Sequence, residues 1–477
     1  MGNSNIKTNF IYNISLTLST YIINLLLFPY VSRILGVENL GKIGFVENVI
    51  GYFSLFSIMG IGTVGIREIA ACGTDRVKRS QVFSSIFSLL LIFTSVCTAV
   101  YIIAFLTLPQ FQQNKELFIA GTGTLFFTSM LIEWFYQGTE NFKFITVRMV
   151  LVKLFYAVLV FILVKEKQDY QLYFYLTVLV VILNATINLC YARKYVDFSF
   201  KNILLKKYLK PIFSLGVYKL MISMYTTFNV VYLGFTCSEN QVGYYYTSTK
   251  IFYILLGVLS AFTSVMLPRM SSLIAEKKIE EFKHKIDNSF DLVFSVAIPV
   301  VIFFTILAPE TIHVISGKGY EGAIPPMRII MPIMLLSGLA QIWVIQVLLP
   351  LKRDRIVLYS SIVGAVVGIT ANILIVGIFG AIGSALVLLF SEISSSSISF
   401  YYVIRKRLIH FPLKKFSYFT LGSIPYVFIC LFIQNNLRSS ISTLVITAFF
   451  CLVYFVILNR YILKKTFIST YLAKYLH

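Results

Sequence analysis

The stretch that decides the fold class is "YYYTSTKIFYILLGVLSAF", which runs from Tyr244 to Phe262. It is apolar and aromatic along almost its whole length, and a helix of about 20 such residues crosses the hydrocarbon core of a bilayer. One ammonium group, that of Lys250, interrupts it. An ionisable residue inside a membrane span indicates a functional site by default. The stretch therefore predicts a membrane protein with a charged site inside the membrane.

The composition of the whole chain supports the same class. Of its 477 residues, 58% are hydrophobic and only 13% are charged, whereas soluble proteins carry about 25% charged residues. The apolar runs are continuous and do not alternate with polar residues as barrel strands do. The sequence therefore predicts an all-α integral membrane protein.

Fourteen apolar runs are long enough to cross a bilayer. They lie at 10–34, 42–62, 81–107, 117–136, 146–164, 171–191, 211–234, 241–265, 288–308, 323–349, 356–378, 381–403, 417–434 and 441–459. The first run is too long for a signal-peptide core, and no small-x-small cleavage site follows it. We therefore interpret it as the first span.

The basic residues of the connecting loops indicate the orientation of the spans. With both termini in the cytoplasm, 30 of the 41 Lys and Arg residues fall on the cytoplasmic side, 7 fall on the opposite side, and the remaining 4 lie within spans. Such an excess of cytoplasmic Lys and Arg is the normal bias of membrane proteins. It predicts fourteen spans with cytoplasmic N- and C-termini.

Several function classes are disfavoured by what the sequence contains. The net charge of +21 is spread over many loops, whereas a nucleic-acid-binding protein gathers its basic residues on one face. The six cysteines and four histidines show no metal-ligand spacing, so we expect no metal and no cofactor. No phosphate-binding loop and no long loop with catalytic groups is present. We therefore expect a carrier, a channel or a lipid-handling protein and not an enzyme.

An internal repeat divides the chain. Gly41 in "ENLGKIGF" and Gly243 in "ENQVGYYY" are 202 positions apart, and so are Arg67 and Arg269 in the loops that follow. Parallel repeats related by an axis along the membrane normal are a transporter architecture. We expect a six-helix bundle in residues 1–200, a second in 201–410, and two further helices with a cytoplasmic tail in 411–477.

Three motifs carry a resemblance to a known family. The stretches "FPYVSRILGVENLGKIGF" (28–45), "GIGTVGIREIA" (60–70) and "GYEGAIPPMRIIMP" (319–332) resemble the polysaccharide transport family, the Wzx-like oligosaccharide repeat-unit flippases. This family shares a superfamily with the multidrug MATE exporters and the lipid II flippase MurJ. The resemblance covers the whole chain, but its motifs do not separate one sugar substrate from another.

The resemblance implies a fold and a function. The fold is a MATE- and MurJ-like V of two six-helix bundles around a central cavity, with alternating access. The function is the transfer of an undecaprenyl-diphosphate-linked oligosaccharide from the cytoplasmic to the periplasmic leaflet of the bacterial inner membrane, for O-antigen, capsule or exopolysaccharide synthesis. Membrane lipids are expected partners, and a polysaccharide polymerase and a chain-length regulator are further candidates.

The cargo has two negative charges on its diphosphate, and desolvating charge in hydrocarbon is costly. A wet, cationic cavity would offset that cost. Candidate cavity cations are Lys250, Lys219, Lys153, Arg33 and Arg328. Lys153 and Lys219 could instead extend to the interface, and Arg33 and Arg328 could be interfacial anchors.

The acidic residues within spans have separate candidate roles. Glu392 and Glu47 are candidates for ion coupling, and either could instead form a buried ion pair with Lys250. Arg67 and Arg269 are candidates for a cytoplasmic gate, or they follow the topology rule alone. Two alternative functions stay open: a MATE-like cation-coupled drug exporter, which would favour acids within spans, and a lipid II-type flippase. A glycan polymerase would need a large periplasmic loop with catalytic groups, which this sequence lacks.

Overall fold

The computed structural model describes residues 6–73, 75–199, 203–224 and 226–462. Throughout these ranges the chain is helical with connecting turns and contains no strand. The predicted all-α class is confirmed. In an apolar environment a helix satisfies every backbone donor and acceptor within its own segment, which is why continuous apolar runs adopt it.

Twenty α-helices make up the described chain. They are α1 (Ile6–Ile58), α2 (Ile61–Ala71), α3 (Arg76–Thr107), α4 (Pro109–Gln112), α5 (Lys115–Ser129), α6 (Glu133–Gly138), α7 (Phe142–Leu163), α8 (Tyr170–Ala192), α9 (Leu205–Ser223), α10 (Thr227–Thr236), α11 (Glu239–Ala275), α12 (Ile279–Ile306), α13 (Ala308–Ser316), α14 (Ile324–Ile330), α15 (Ile333–Gln341), α16 (Asp354–Ala371), α17 (Gly377–Arg405), α18 (Leu413–Gly422), α19 (Ile424–Asn436) and α20 (Ser440–Ile457). Short 3₁₀ turns lie at Lys167–Asp169 and Glu321–Ala323, and π-helical segments lie at Ile342–Leu348, Asn372–Val376 and Leu458–Ile462.

The predicted count of fourteen spans is not confirmed. In the described residues, ten helices are long and apolar enough to cross a membrane, and an eleventh is added if Ile22–Ile58 and Ile61–Ala71, bent by 40°, form one span. Part of the difference has a simple cause, because two continuous helical stretches each contain two predicted spans. The breaks inside them are single glycines with positive φ, Gly36 at 77° and Gly380 at 54°. Glycine adopts such angles without steric cost.

The chain divides into two compact units, Met1–Gly243 and Tyr244–His477. The division falls inside α11. The domain boundaries expected near residues 200 and 410 stay a prediction, although the segment 411–462 packs within the second unit. We describe each unit by itself.

An aromatic cluster joins three helices of unit 1, namely α2, α3 and α6. The ring of Phe83 on α3 stacks on the indole of Trp134 at 5.5 Å and meets the ring of Phe135 edge-on at 5.1 Å. Gly65 on α2 leaves room for that indole, because a Cβ at Gly65 would overlap the Trp134 ring. Aromatic pairs of this geometry stabilise by about 0.5–1.5 kcal/mol beyond the area that they bury. They fix α2, α3 and α6 against one another.

The two glycines of the sequence repeat contact each other in unit 1. A Cβ at Gly41 would overlap the carbonyl oxygen of Glu239, and a Cβ at Gly243 would overlap that of Val37. An ion pair borders this crossing of α1 with the first turn of α11, because Lys42 Nζ lies 3.5 Å from Glu239 Oε2. Asn114 Nδ2 also donates to Glu239 Oε1 at 2.8 Å.

Unit 2 binds the C-terminal helices through charge and aromatic packing. Lys415 Nζ lies 3.0 Å from Asp291 Oδ1, and the Asp291 side chain is 2% exposed. Phe294 on α12 packs against Phe416 and Phe419 with ring centroids 5.3 and 5.8 Å away. The buried carboxylate and the rings join α18 to α12, so the C-terminal helices are an integral part of the unit.

We predict that Gly41→Ala and Gly243→Ala each destabilise the protein. The added methyl would meet backbone carbonyl atoms, which no side-chain rotamer can move away, and overpacking of this kind costs about 1–3 kcal/mol. Thermal unfolding of the purified protein in nanodiscs would measure the loss. Gly377→Ala is the matched control, because nothing lies within 4 Å of the position that its Cβ would take. Equal thermal stability of all three variants and the wild type would contradict the close crossing.

Candidate functional site

Lys250 lies on α11 with its ammonium group over an aromatic ring. Its Nζ is 4.7 Å from the ring centroid of Tyr246, one turn earlier. The side chain is partly buried. A cation over an aromatic face is attracted by the ring quadrupole, by about 0.5–1 kcal/mol at exposed sites and more when water is excluded. The geometry holds the charge in place within a span.

Three helices of unit 2, namely α11, α15 and α17, bring polar groups together. Ser337 Oγ on α15 donates to Glu392 Oε1 on α17 at 2.8 Å. The phenol of Tyr253 on α11 lies within electrostatic range of the same carboxylate, and Tyr253 is 43% exposed. We call Tyr253, Ser337 and Glu392 the unit 2 polar cluster, and Lys250 lies about one turn before Tyr253 on α11. The cluster combines an acid with two hydroxyl groups within predicted spans.

Unit 1 carries a comparable set of side chains. Lys153 Nζ on α7 donates to Thr20 Oγ1 on α1 at 2.8 Å. The rings of Tyr156 and Tyr173 lie 6.3 Å apart, and both phenols are within electrostatic range of Glu47. We call Glu47, Tyr156 and Tyr173 the unit 1 polar cluster, and Lys153 lies about one turn before Tyr156 on α7, within electrostatic range of Glu133. Each cluster thus combines one glutamate with tyrosine.

The other candidate cations are placed less centrally. Arg33 on α1 and Arg328 on α14 are exposed. Lys219 lies on α9, but its side chain lies outside the described residues. The structure therefore places Lys153 and Lys250 about one turn from Tyr156 and Tyr253, the tyrosines that lie near Glu47 and Glu392.

The two candidate gate residues are engaged in exposed ion pairs. Arg67 Nη2 lies 3.0 Å from Glu68 Oε1, and Arg269 Nη2 lies 2.5 Å from Glu281 Oε1. In the turn after α11, the hydrogen bond from Lys278 lowers the pKa of the exposed Glu276 carboxyl. Exposed pairs contribute about 0–1 kcal/mol each, so these charges form and break contacts at little cost.

One charged pair was missed by the sequence reasoning. Arg148 Nη2 on α7 lies 3.1 Å from Glu133 Oε1 on α6, and the Arg148 side chain is only 3% exposed. The 30 Lys and Arg residues counted on the cytoplasmic side include Arg148, although it falls within the predicted span 146–164. The sequence signal for this ion pair is that two opposite charges lie near the adjoining ends of successive predicted spans. Among the described residues, no three His, Cys, Asp or Glu side chains gather as a metal site requires.

The chain matches one protein family over more than half of its length. A profile described as "Polysaccharide biosynthesis protein" matches residues 6–274. A protein of Escherichia coli (strain K12) named "Putative O-antigen transporter" is 25% identical over 424 residues, which is 85% of this chain and 98% of that protein. A protein of Shigella dysenteriae with the same name is 24% identical over 383 residues, covering 79% of this chain and 94% of that one.

Solved transporter structures share the fold. "Lipid II flippase MurJ, inward closed conformation" aligns with a TM-score of 0.78 at 12% identity, covering 98% of this chain and 100% of that one. An inward-facing MATE transporter of the MOP superfamily aligns with a TM-score of 0.60 at 16% identity. The alignment covers 84% of this chain and 94% of that one. Together with the apolar helices and the transporter relatives, the comparison shows a multi-pass membrane protein with a MurJ- and MATE-like fold.

We predict that Arg148→Ala lowers the stability of the protein far more than Arg76→Ala. The substitution leaves the Glu133 carboxylate, which is 32% exposed, without its partner, and a hydrogen bond to a charged group contributes about 1.5–3 kcal/mol. Arg76 pairs with Asp197 at 2.8 Å, but the two side chains are 53% and 71% exposed, so its loss should change the stability little. Chemical or thermal unfolding in detergent would measure both. Equal effects would refute a buried structural role for Arg148.

Proposed function

The chain belongs to the polysaccharide biosynthesis protein family, and from this membership we propose that it is a flippase for lipid-linked oligosaccharides. The cargo is an undecaprenyl-diphosphate-linked repeat unit, which moves from the cytoplasmic to the periplasmic leaflet for O-antigen, capsule or exopolysaccharide synthesis. The observation that carries the proposal is the match to a protein named as an O-antigen transporter along 98% of that protein's length.

The charge of the cargo gives the membrane cations a role. A diphosphate brings two negative charges that hydrocarbon cannot solvate, and fixed ammonium groups would offset them. Lys250 and Lys153 are held within spans by Tyr246 and Thr20. We assign these lysines, together with Lys219, Arg33 and Arg328, to the path of the diphosphate. A MATE-like exporter of cationic drugs would need acids in their place.

The architecture and environment complete the proposal. Two six-helix bundles with two additional C-terminal helices would alternate access in the bacterial inner membrane, with both termini in the cytoplasm. Arg67 and Arg269, in their exposed ion pairs, would act at the cytoplasmic gate. A polymerase and a chain-length regulator would receive the delivered repeat units.

We propose two candidate energy sources, the membrane potential and an ion that binds at Glu392 or Glu47. An inside-negative potential favours outward movement of an anion by about 2.3 kcal/mol per charge per 100 mV. Glu392, which accepts a hydrogen bond from Ser337, and Glu47, beside Tyr156 and Tyr173, are the candidate coupling sites.

We predict that Lys250→Ala reduces export about tenfold or more, whereas Lys250→Arg retains most of it. A hydrogen bond between charged groups contributes about 1.5–3 kcal/mol, and 1.4 kcal/mol corresponds to a factor of ten. The measurement is surface polysaccharide in a strain that lacks its own flippase, with the amount of membrane protein checked by immunoblot.

The matched control is Lys283→Ala, which removes an exposed ammonium paired with Glu280 at 2.9 Å and should export normally. If Lys250→Ala exports as well as the wild type, Lys250 is not a ligand. Purified protein in proteoliposomes, offered lipid II in parallel with the cognate repeat unit, separates this function from that of a lipid II-type flippase.

We predict that Glu392→Gln abolishes the stimulation of transport by an imposed H⁺ or Na⁺ gradient while leaving slow downhill transport. The amide keeps the shape of the side chain and an acceptor for Ser337, but it cannot bind a proton or neutralise a cation. Transport into proteoliposomes with and without each gradient measures the effect, and Glu47→Gln tests the second candidate in the same way. Full stimulation in both variants would remove both residues from coupling.

A further inference from the structure

Unit 1 contains a pocket that none of the assigned roles uses. It has a volume of about 320 Å³ and is lined by residues of two chain segments, 58–66 and 128–137, together with Leu90. That size is at the lower end of the range of small-molecule sites, about 300–1,000 Å³. The charge distribution of the loops assigns this end of unit 1 to the cytoplasm.

Both segments are breaks between helices. Met59, between α1 and α2, has a φ of 39°, and Ile132, between α5 and α6, has a φ of 40°. Such angles are rare for residues other than glycine and are outliers for a β-branched residue. Non-helical backbone in a membrane protein is tolerated where it lines a cavity or is buried in protein, and interrupted helices form the binding sites of many transporters.

The pocket wall is mostly aliphatic and also carries several neutral hydrogen-bonding groups. Thr128 and Ser129 donate their hydroxyl protons to Thr124 and Phe126 carbonyls, each at 2.6 Å, so their oxygens face the surroundings as acceptors. Gln137 lines the same wall. Trp134 is only 6% exposed, and its indole N–H has no hydrogen-bond partner within the part of the chain that the structure describes. A buried donor without a partner is costly, and a ligand oxygen would satisfy it.

The charge of the pocket selects the class of ligand. Glu133 lines it, and this carboxylate would repel a phosphate or another anion. Arg148, behind Glu133 at 3.1 Å, already neutralises that carboxylate, so a cation gains little. A neutral molecule remains, and one with both an apolar face and hydroxyl groups matches the aliphatic and the hydrogen-bonding parts of the wall.

We propose that this pocket, which we call the unit 1 sugar pocket, binds one sugar ring of the glycan on the cytoplasmic side. The inference rests on the proposed function, because the glycan is the only part of that cargo with this chemistry. Thr63, Thr128, Ser129 and Gln137 hydrogen-bond the ring hydroxyls, and the sugar lies beside the Trp134 side chain. The pocket therefore contributes to sugar selectivity, separately from the cations that receive the diphosphate.

The two tryptophans of the chain permit a direct binding test. Trp343→Phe leaves Trp134 as the sole indole, and the protein is reconstituted in nanodiscs because glycoside detergents would compete. Glucose, rhamnose, N-acetylglucosamine and N-acetylgalactosamine are titrated separately. We expect a saturable change in Trp134 emission with at least one of them in the millimolar range. The Trp134→Phe variant, which retains Trp343, should show no saturable change.

Pocket variants identify the site. Thr128→Val and Gln137→Leu should each weaken sugar binding about fivefold, which corresponds to one net hydrogen bond. Thr122→Val is the matched control, because Thr122 lies on the same helix, donates to Phe118 O at 3.3 Å and does not line the pocket. An absence of saturable change with every sugar, or equal binding by the pocket variants and the control, would overturn the proposal.

The transport assay separates this inference from the function on which it rests. If the wild type moves the lipid-linked oligosaccharide but Trp134 does not respond to sugar, the pocket proposal alone fails. If the wild type moves no lipid-linked oligosaccharide, the proposed function fails regardless of what the indole reports.

Discussion

Hydrocarbon offers no hydrogen bonds, so every polar group taken into it needs a partner within the protein. Much of the described structure follows this constraint, although the Trp134 N–H does not. The backbone is mostly helical, and three charged side chains within predicted spans have protein partners: Arg148 has Glu133, Lys153 has Thr20, and Asp291 has Lys415. A charge that serves a function within the membrane also needs stabilising contacts with neighbouring side chains. The contact of the Lys250 ammonium with the Tyr246 ring is an example.

The sequence predicts the class of this protein well, because hydropathy over twenty residues is a strong signal and the all-helical chain confirms it. The number of spans follows less directly. A single glycine, such as Gly36 or Gly380, interrupts a helix without any polar loop, so two predicted spans can lie in one continuous helical stretch. The glycines Gly41 and Gly243 stood out as repeat landmarks, but their mutual contact required coordinates.

The details of the sites depend on backbone features without a sequence signature. Nothing in the residue types of Met59 or Ile132 predicts a left-handed conformation, so the pocket between the two interrupted helices could not be found from the sequence. The structural role of the Arg148 charge could not be predicted from the sequence either. A count of basic residues treats it as a topology signal, whereas the fold buries it against Glu133. Periodicity and charge counts locate spans, and tertiary packing decides which charges are structural.

The break at Gly36 has a practical consequence for mapping this protein in cells. Helical residues flank that glycine on both sides, so the chain there offers no slack for an inserted epitope or a protease cleavage site. A reporter placed between Leu35 and Leu40 would disrupt the helices it was meant to locate. Labels for this segment are better attached as single cysteine substitutions at exposed positions such as Glu38, whose side chain is 61% exposed.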